Sequence, residues 1–286
     1  MNKGKIGVQM MMLKGKVEEL GVYETLRKVH ELGYRCIEVS QIPMTAENVA
    51  ELKRASIDFE IKIASLSAAL EPMMPGMKGE TLSDDFDKIL QDCKQLDCNF
   101  LRIGMLPFHL IGSKDKVMEF AQKADQVAER LAGHGIELYY HNHHIEFQKY
   151  DGEYLLDLIK NNTKRIGFEL DVHWIHRGGE NPVSVIKKYA GRIALLHLKD
   201  YRIGQLDMNA LSSGDMGKFM QAFTNVIEFA EVGEGSLDMK AIIDAGLESG
   251  SQYFLVEQDD VYGRDPFDCL QTSANNLRNL GYADWF

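Results

Sequence analysis

The sequence predicts a single-domain α/β fold of the (β/α)8 barrel type, spanning residues 1–286. Three observations carry this. Short apolar runs alternate with longer amphipathic stretches, eight of each, along the whole chain. Such alternation implies parallel strands joined by helical crossovers, and eight units close most economically as a barrel of about 250 residues. Finally, seven of the nine histidines fall between residues 134 and 197, most of them at or just beyond the ends of apolar runs. In a barrel that position is the C-terminal rim, where active sites sit.

The apolar runs are Ile6–Met10, Cys36–Val39, Ile61–Leu66, Phe100–Ile103, Ile136–Tyr140, Ile166–Leu170, Ile193–Leu198 and Tyr253–Val256. Each is brief, rich in β-branched or aromatic residues and bounded by Gly or polar residues, the pattern of a strand buried on both faces. Between them, helical spacing fits Val22–Leu32, Ala46–Ala55, Asp84–Leu96, Ser113–Leu131, Glu153–Asn161, Pro182–Tyr189, Met239–Ser249 and Pro266–Leu280. The clearest is the fourth, where Val117, Phe120, Ala121, Ala124, Val127, Ala128 and Leu131 form a one-sided stripe and Gly133 follows as a stop. A doubly wound open sheet would want a glycine-rich phosphate turn after an early strand, and QMMMLKGK is not one. No linker or shift of composition divides the chain. The connection from about residue 201 to 234 is long, with a short helical pattern near Phe219–Phe223, and is either a lid over the mouth or a surface excursion.

Composition bounds the function. With 45% hydrophobic and 26% charged residues the chain has the profile of a soluble globular protein. Its net charge of −11 disfavours nonspecific nucleic-acid binding. No apolar stretch is long enough to span a membrane, and no secretory leader is evident at the N-terminus. The four cysteines, Cys36, Cys93, Cys98 and Cys269, form no disulfide framework or thiolate metal motif and suit a reducing cytoplasm. Sequence signatures of serine hydrolases, P-loop NTPases, zincins and dinucleotide enzymes are absent.

The chemistry concentrates after the last four runs. YYHNHHIEF carries His141, His143, His144 and Glu146; FELDVHWIHRGG carries Asp171, His173 and His176; ALLHLKDY carries His197, Lys199 and Asp200; FLVEQDD carries Glu257. Consecutive strands make one arc of the rim, so these side chains can converge on one point. Carboxylates with imidazole suit one divalent ion such as Mn, Mg, Co or Zn. The competing readings are a helix N-cap for Asp171, a solvated rim charge for Glu257 and a hydrogen-bonded structural role for His197. Gln9, Glu38, Arg102, His109, Arg202, Glu231 and Glu234 are weaker candidates, for which salt-bridge or supporting roles are at least as good.

The stretches HNHHIEF, ELDVHW with GGENP, LLHLKDY, EVGEGSLD and LVEQDD, in that order, resemble the xylose-isomerase-like TIM barrel family of sugar phosphate isomerases and epimerases. The resemblance covers nearly the whole chain. It implies a metal held by Glu146, Asp171, His197 and Glu257, with Glu146 and Glu257 also moving protons. Many relatives place Glu directly at the end of strand five, where this chain has His141. His141 or His143 is then the alternative ligand, with Glu146 on the substrate. The family's Asp-x-x-His pattern on strand six is broken by Trp174. His141, His143, His173, His176, Lys199 and Glu234 are the residues expected to contact substrate. The implied activity is divalent-metal-dependent sugar isomerisation or epimerisation, in which a carboxylate moves a proton through a metal-stabilised enediolate. Dehydration of a keto-sugar or cyclic keto-polyol is the alternative; a non-catalytic sugar-binding barrel and an abasic-site endonuclease rank lower. The expected partner is a small sugar or sugar derivative, with no nucleic acid and no membrane, and a homo-oligomer is left open.

Overall fold

Eight parallel strands close on themselves: β1 (Lys5–Gln9), β2 (Cys36–Val39), β3 (Lys62–Ser67), β4 (Phe100–Ile103), β5 (Glu137–His141), β6 (Gly167–Asp171), β7 (Ile193–Leu198) and β8 (Tyr253–Val256). Their order around the barrel is their order in the chain, with β8 pairing back onto β1. The structure is a computed structural model and describes residues 3–206, 208–212 and 214–286. One crossover or closing helix follows each strand: α1 (Val22–Glu31), α2 (Ala46–Asp58), α3 (Phe86–Gln95), α4 (Lys114–Ala132), α5 (Leu155–Asn161), α6 (Pro182–Lys188), α7 (Met239–Ser249) and α8 (Pro266–Leu277). Side-chain caps begin several of them. Thr45, Ser113, Asn181 and Asp265 each accept a backbone N–H from the first turn, and Pro182 and Pro266 sit where a helix tolerates proline. Gly133 closes α4 in a right-handed conformation; the left-handed residue is Gly135, at φ 75°.

Five segments differ from the sequence expectation. The fifth helix starts two residues late, because Glu153–Tyr154 pairs with Lys149–Tyr150 as a small antiparallel ribbon. The last helix ends at Leu277, and Gly281 at φ 103° interrupts the helical turn beyond it. Two short helices, Lys14–Leu20 and Val172–Arg177, carry too few turns to show periodicity. The long connection after β7 is a hairpin, Asp200–Ile203 against Ile227–Ala230, with helices Met208–Ser212 and Met216–Thr224 beyond it. No helix among the described residues is long and apolar enough to cross a membrane.

The main core lies between strands and helices, where residues such as Ile37, Phe120, Tyr140, Phe168 and Leu196 are fully or almost fully buried. A second, smaller apolar group fills the lower barrel: Cys36, Ala64, Tyr139, Ala194, Leu195 and Leu255, with Phe100 and Tyr253 packed against it. Side chains two residues apart on a strand share a face. The same face that carries Cys36, Tyr139, Leu195 and Leu255 therefore carries Glu38, His141, His197 and Glu257 one step nearer the mouth. The barrel passes from an apolar plug to a charged upper layer over two residues. Register irregularities fall at Ile37/Glu38 and Phe168/Glu169, where the charged layer begins, as bulges that re-aim side chains do. Gly167 is needed below that layer, since a Cβ there would lie 2.4 Å from the Tyr139 ring.

Candidate metal centre and barrel mouth

Register brings Asp171 beside His197, and the ends of β5, β6, β7 and β8 together. One ligand atom from each of His141, Asp171, His197 and Glu257 lies within 4.8 Å of the others, and all four residues are buried. His141 Nε2 is 3.1 Å from His197 Nδ1 and 3.5 Å from Asp171 Oδ2. His197 Nδ1 is 2.8 Å from Glu257 Oε2. Asp171 is doubly engaged. Its Oδ1 accepts the Trp174 N–H at 2.9 Å and caps helix Val172–Arg177, while its Oδ2 faces the cluster. The cap and the ligand readings thus hold for different oxygens of one carboxylate. Asn142 fixes the strand end, accepting the Asp171 N–H at 3.0 Å. Gln9 donates to Glu257 Oε1 at 2.7 Å.

Beneath lies a second group that shares His197. Its Nε2 is 3.1 Å from Glu38 Oε1 and 3.2 Å from Glu169 Oε1. Arg102 Nε sits 2.7 Å from Glu38 and 3.1 Å from Glu169, its Nη2 donates to Ser40, and Ser65 donates to Glu38. Gln9, Glu38 and Arg102 therefore have the supporting roles considered from sequence. Glu169 was not anticipated, although its place two residues before Asp171 puts it on the same face. Asp259, two residues after Glu257, was likewise missed; its Oδ1 is 2.8 Å from Lys199 Nζ.

Lys199 Nζ also lies 2.9 Å from Asp171 Oδ2 and 2.7 Å from Glu257 Oε2, with the rings of Trp174 and Phe229 at 5.1 and 5.7 Å. Despite this contact, Asp171 Oδ2 and Glu257 Oε2 receive no aligned hydrogen bond. Counted together, the buried carboxylates of Glu38, Glu169, Asp171 and Glu257 face only two permanent cations, Arg102 and Lys199. Burying that excess is costly, and the shifts of Glu169 and His197 toward their protonated forms offset it. Two imidazole nitrogens and two under-satisfied carboxylate oxygens are a donor set that fits a divalent cation.

The electrostatics follow from the same contacts. Burial alone would raise Asp171 and Glu257, but Lys199 and the imidazoles hold both below the usual carboxylate range. Burial and the Glu38 charge push Glu169 up to about 8. For His197 burial favours the neutral ring, yet Glu169, Glu257 and Glu38 outweigh it and raise it well above its ordinary value. Burial brings His141 down to about 4 and His143 to about 2, so both are neutral imidazoles. Burial raises Asp259 to about 6, with Glu257 adding to the shift and Lys199 opposing it.

The other expected residues divide. His143 is half-buried, its ring 4.8 Å from that of His141, and it lines the mouth cavity together with Lys199. His173 is buried below the Asp200–Ile203 hairpin, its Nδ1 3.0 Å from Asp200 O and its ring 4.5 Å from that of Phe229. His176 is exposed against Tyr201. Glu234 is exposed and accepts from Asn276 at 2.8 Å. Glu146 departs most from the expectation of a ligand. Although fully buried, it lies outside the four-atom cluster. Its Oε1 accepts from Tyr140 Oη at 2.7 Å and its Oε2 from the His143 N–H at 2.8 Å. The strand-five position in the cluster belongs to His141. The intervening turn, Asn142–Ile145, turns the Glu146 carboxylate back onto its own backbone. The motif EVGEG has a clear structural role, because the buried Asp200 carboxylate accepts N–H bonds from Tyr201, Gly233, Gly235 and Leu237. A Cβ on Gly235 would come within 2.2 Å of Asp200.

The mouth opens into a cavity of about 580 Å3 whose lining includes Gln9, Arg102, His141, His143, Lys199 and Glu257. The profile of the xylose isomerase-like TIM barrel family matches residues 26–280. The chain belongs to this family. It is similar to the rhizopine catabolism protein MocC of Rhizobium meliloti, 31% identical over 170 residues, 58% of this chain and 50% of the relative. It is also similar to inosose dehydratase of Lacticaseibacillus casei, 25% identical over 148 residues, 51% of this chain and 48% of the relative. The aligned part spans about half the length of each of these curated relatives. Among solved structures, a sugar phosphate isomerase/epimerase from Parabacteroides distasonis shares the fold at a TM-score of 0.74, with 22% identity, 98% of this chain and 99% of that chain covered.

Proposed function

We propose that this barrel is a divalent-metal-dependent enzyme that removes the proton beside a carbonyl of a sugar or cyclic keto-polyol. The observation that supports it is the convergence of His141, Asp171, His197 and Glu257 on one point at the mouth. A divalent cation held there would supply Lewis-acid stabilisation for the negative charge that develops on the carbonyl oxygen as the neighbouring C–H bond breaks. Glu257 is the base: it is ionised, faces the cavity and is aimed by Gln9. His143, neutral and half-buried, is placed to hydrogen-bond a substrate hydroxyl. Lys199 binds Asp171, Glu257 and Asp259 together and fixes their spacing.

Two outcomes share this first step. Isomerisation or epimerisation needs a group to return the proton to another carbon or another face, and Glu146, the second carboxylate expected for it, is bonded elsewhere. Elimination needs an acid for the departing hydroxyl, and Asp259 stands in the cavity lining beside Lys199. In that reaction Glu257 takes the α-proton, the C–O bond to the β-carbon breaks, and Asp259 protonates the hydroxyl to release water. This geometry and the likeness to an inosose dehydratase favour loss of water from a keto-polyol, with sugar isomerisation or epimerisation as the alternative.

The test is incubation with Mn2+, inososes and keto-sugars in D2O, followed by NMR and mass spectrometry. Loss of water from product supports the dehydratase reading; deuterium uptake with conserved skeleton supports the isomerase or epimerase. A protein that binds these compounds with Mn2+ but neither exchanges nor converts any of them is a sugar-binding barrel, and the proposal fails.

A further inference from the structure

The arm that follows β7 carries an apolar surface that the barrel leaves uncovered. Helix Met216–Thr224 has Met216, Phe219, Met220 and Phe223 at the i, i+3, i+4 and i+7 spacing that normally faces a core. Here the stripe faces solvent: Phe219 is half-buried, the other three are exposed, and no residue of the helix is buried. The helix is nonetheless well formed. Asp215 caps it by accepting the Lys218 N–H at 3.1 Å, and the rings of Phe219 and Phe223 stack at 6.2 Å. Ten large apolar side chains are exposed among the described residues, and five of them, Ile203, Met208, Met216, Met220 and Phe223, lie on this arm at 51–61%. That concentration marks a contact surface rather than scattered surface residues.

Charge and area decide what covers it. Folding down onto its own mouth would bring the stripe against a lining that includes Lys14, Gln41, Glu80 and Asp259, which is polar and charged. A lipid surface suits the helix poorly, because helices that lie on membranes carry several Lys or Arg on their polar face, and this one has only Lys218, 3.8 Å from Asp215. A second copy of the chain meets both conditions. At a net charge of −11 two copies repel over most of their surface. On the arm, Arg202 is matched by Glu228 at 2.9 Å and Lys218 by Asp215, so the stripe is flanked by balanced charge. At the exposures given, the five side chains offer roughly 600 Å2 per copy, and a twofold contact through them would bury about 1,200 Å2, the lower bound of a specific interface. We propose that the chain forms a twofold dimer in which the helices Met216–Thr224 of two copies pack on each other through Met216, Met220 and Phe223. The contact is isologous, each stripe serving as the complement of the other. It is independent of the reaction performed at the mouth.

The test is analytical ultracentrifugation of the full chain and of two variants. The parent is expected to sediment as a dimer at micromolar concentration. Met220→Glu should raise the dimer dissociation constant at least about hundredfold, because the substitution enters a twofold contact twice. Gln221→Glu adds the same charge on the polar side of the same helix and should leave the dimer intact. Neither side chain is buried, so circular dichroism of both variants should match the parent. Met220→Cys supplies a direct geometric readout: all four native cysteines are buried, so mild oxidation should link two copies through that position alone. A monomeric parent overturns the proposal, as does a dimer that survives Met220→Glu, equal dissociation by Gln221→Glu, or failure of Met220→Cys to cross-link. A monomer that co-sediments with phosphatidylglycerol vesicles, and no longer does so as Met220→Glu, would make the arm a membrane contact instead.

Discussion

Asp200 gives the sharpest test of how the mouth is built. Its carboxylate is fully buried and accepts four backbone N–H bonds, from Tyr201 at 2.8 Å, Gly233 at 2.9 Å, Gly235 at 3.1 Å and Leu237 at 3.2 Å. Asp200→Ala removes every acceptor at once. A buried donor left unpaired costs about 1–3 kcal/mol. Gly233 is exposed and Gly235 and Leu237 are half-buried, so water replaces some of these bonds, and the ionised carboxylate gives up its own burial cost, which raises its pKa in the native state. The net loss expected is about 3–5 kcal/mol. Asp200→Asn keeps one oxygen for two donors but turns an amide NH2 toward the other two, for a loss of about 2–4 kcal/mol. For a chain of this size each kcal/mol lowers Tm by about 2–4 °C. Thermal unfolding at fixed ion concentration should thus fall by about 6–20 °C for Asp200→Ala, with new proteolytic sensitivity between residues 201 and 236. If both variants melt within about 2 °C of the parent, the carboxylate is not what holds the EVGEG loop.

Mn2+ at about one hundred times its Kd should stabilise the fold by about 2.7 kcal/mol, seen as a Tm rise of about 5–11 °C that a chelator reverses and Asp171→Asn removes; an unchanged Tm in saturating Mn2+ argues against a cation site. Glu257→Gln should lower α-proton exchange by about 10²–10⁴-fold. Glu146→Gln should lower it by no more than about tenfold, a loss of about 1.4 kcal/mol, while reducing Tm, because it mispairs Tyr140 or the His143 N–H. Equal collapse of exchange in both would restore Glu146 to the chemistry. Gly167→Ala places a methyl 2.4 Å from the Tyr139 ring and should destabilise by about 1–3 kcal/mol in urea unfolding; a neutral result means the ring moves aside.

The barrel was legible because its strands are buried on both faces and read as unbroken apolar runs, while its helices keep one apolar stripe. Asp171, His197 and Glu257 were legible for a related reason: a charged or imidazole residue closing such a run has to find a partner. Less could be read where local turns decide direction. Between His141 and Glu146 the chain folds through a tight turn, and nothing in the spacing of HNHHIEF shows that the carboxylate bends back to Tyr140 and the His143 N–H. The hairpin after β7 was hidden because it is half-exposed and its two strands are separated by two short helices. Glu169 was overlooked inside FELD, where a glutamate between Phe168 and Leu170 looks like an interruption. Two-residue alternation would have placed it in line with Asp171, facing Arg102 and His197.

His197 presents one ring nitrogen to each of two carboxylate-bearing groups. The carboxylates around it favour the doubly protonated ring; a cation at the mouth would take the place of the upper hydrogen and leave the lower one directed at Glu38. The tautomer would thus be chosen from below, by residues no substrate touches. For a cation held at the mouth, a change on β2 should alter its affinity without displacing a single atom that would contact it, so the floor would share in setting what the opening holds.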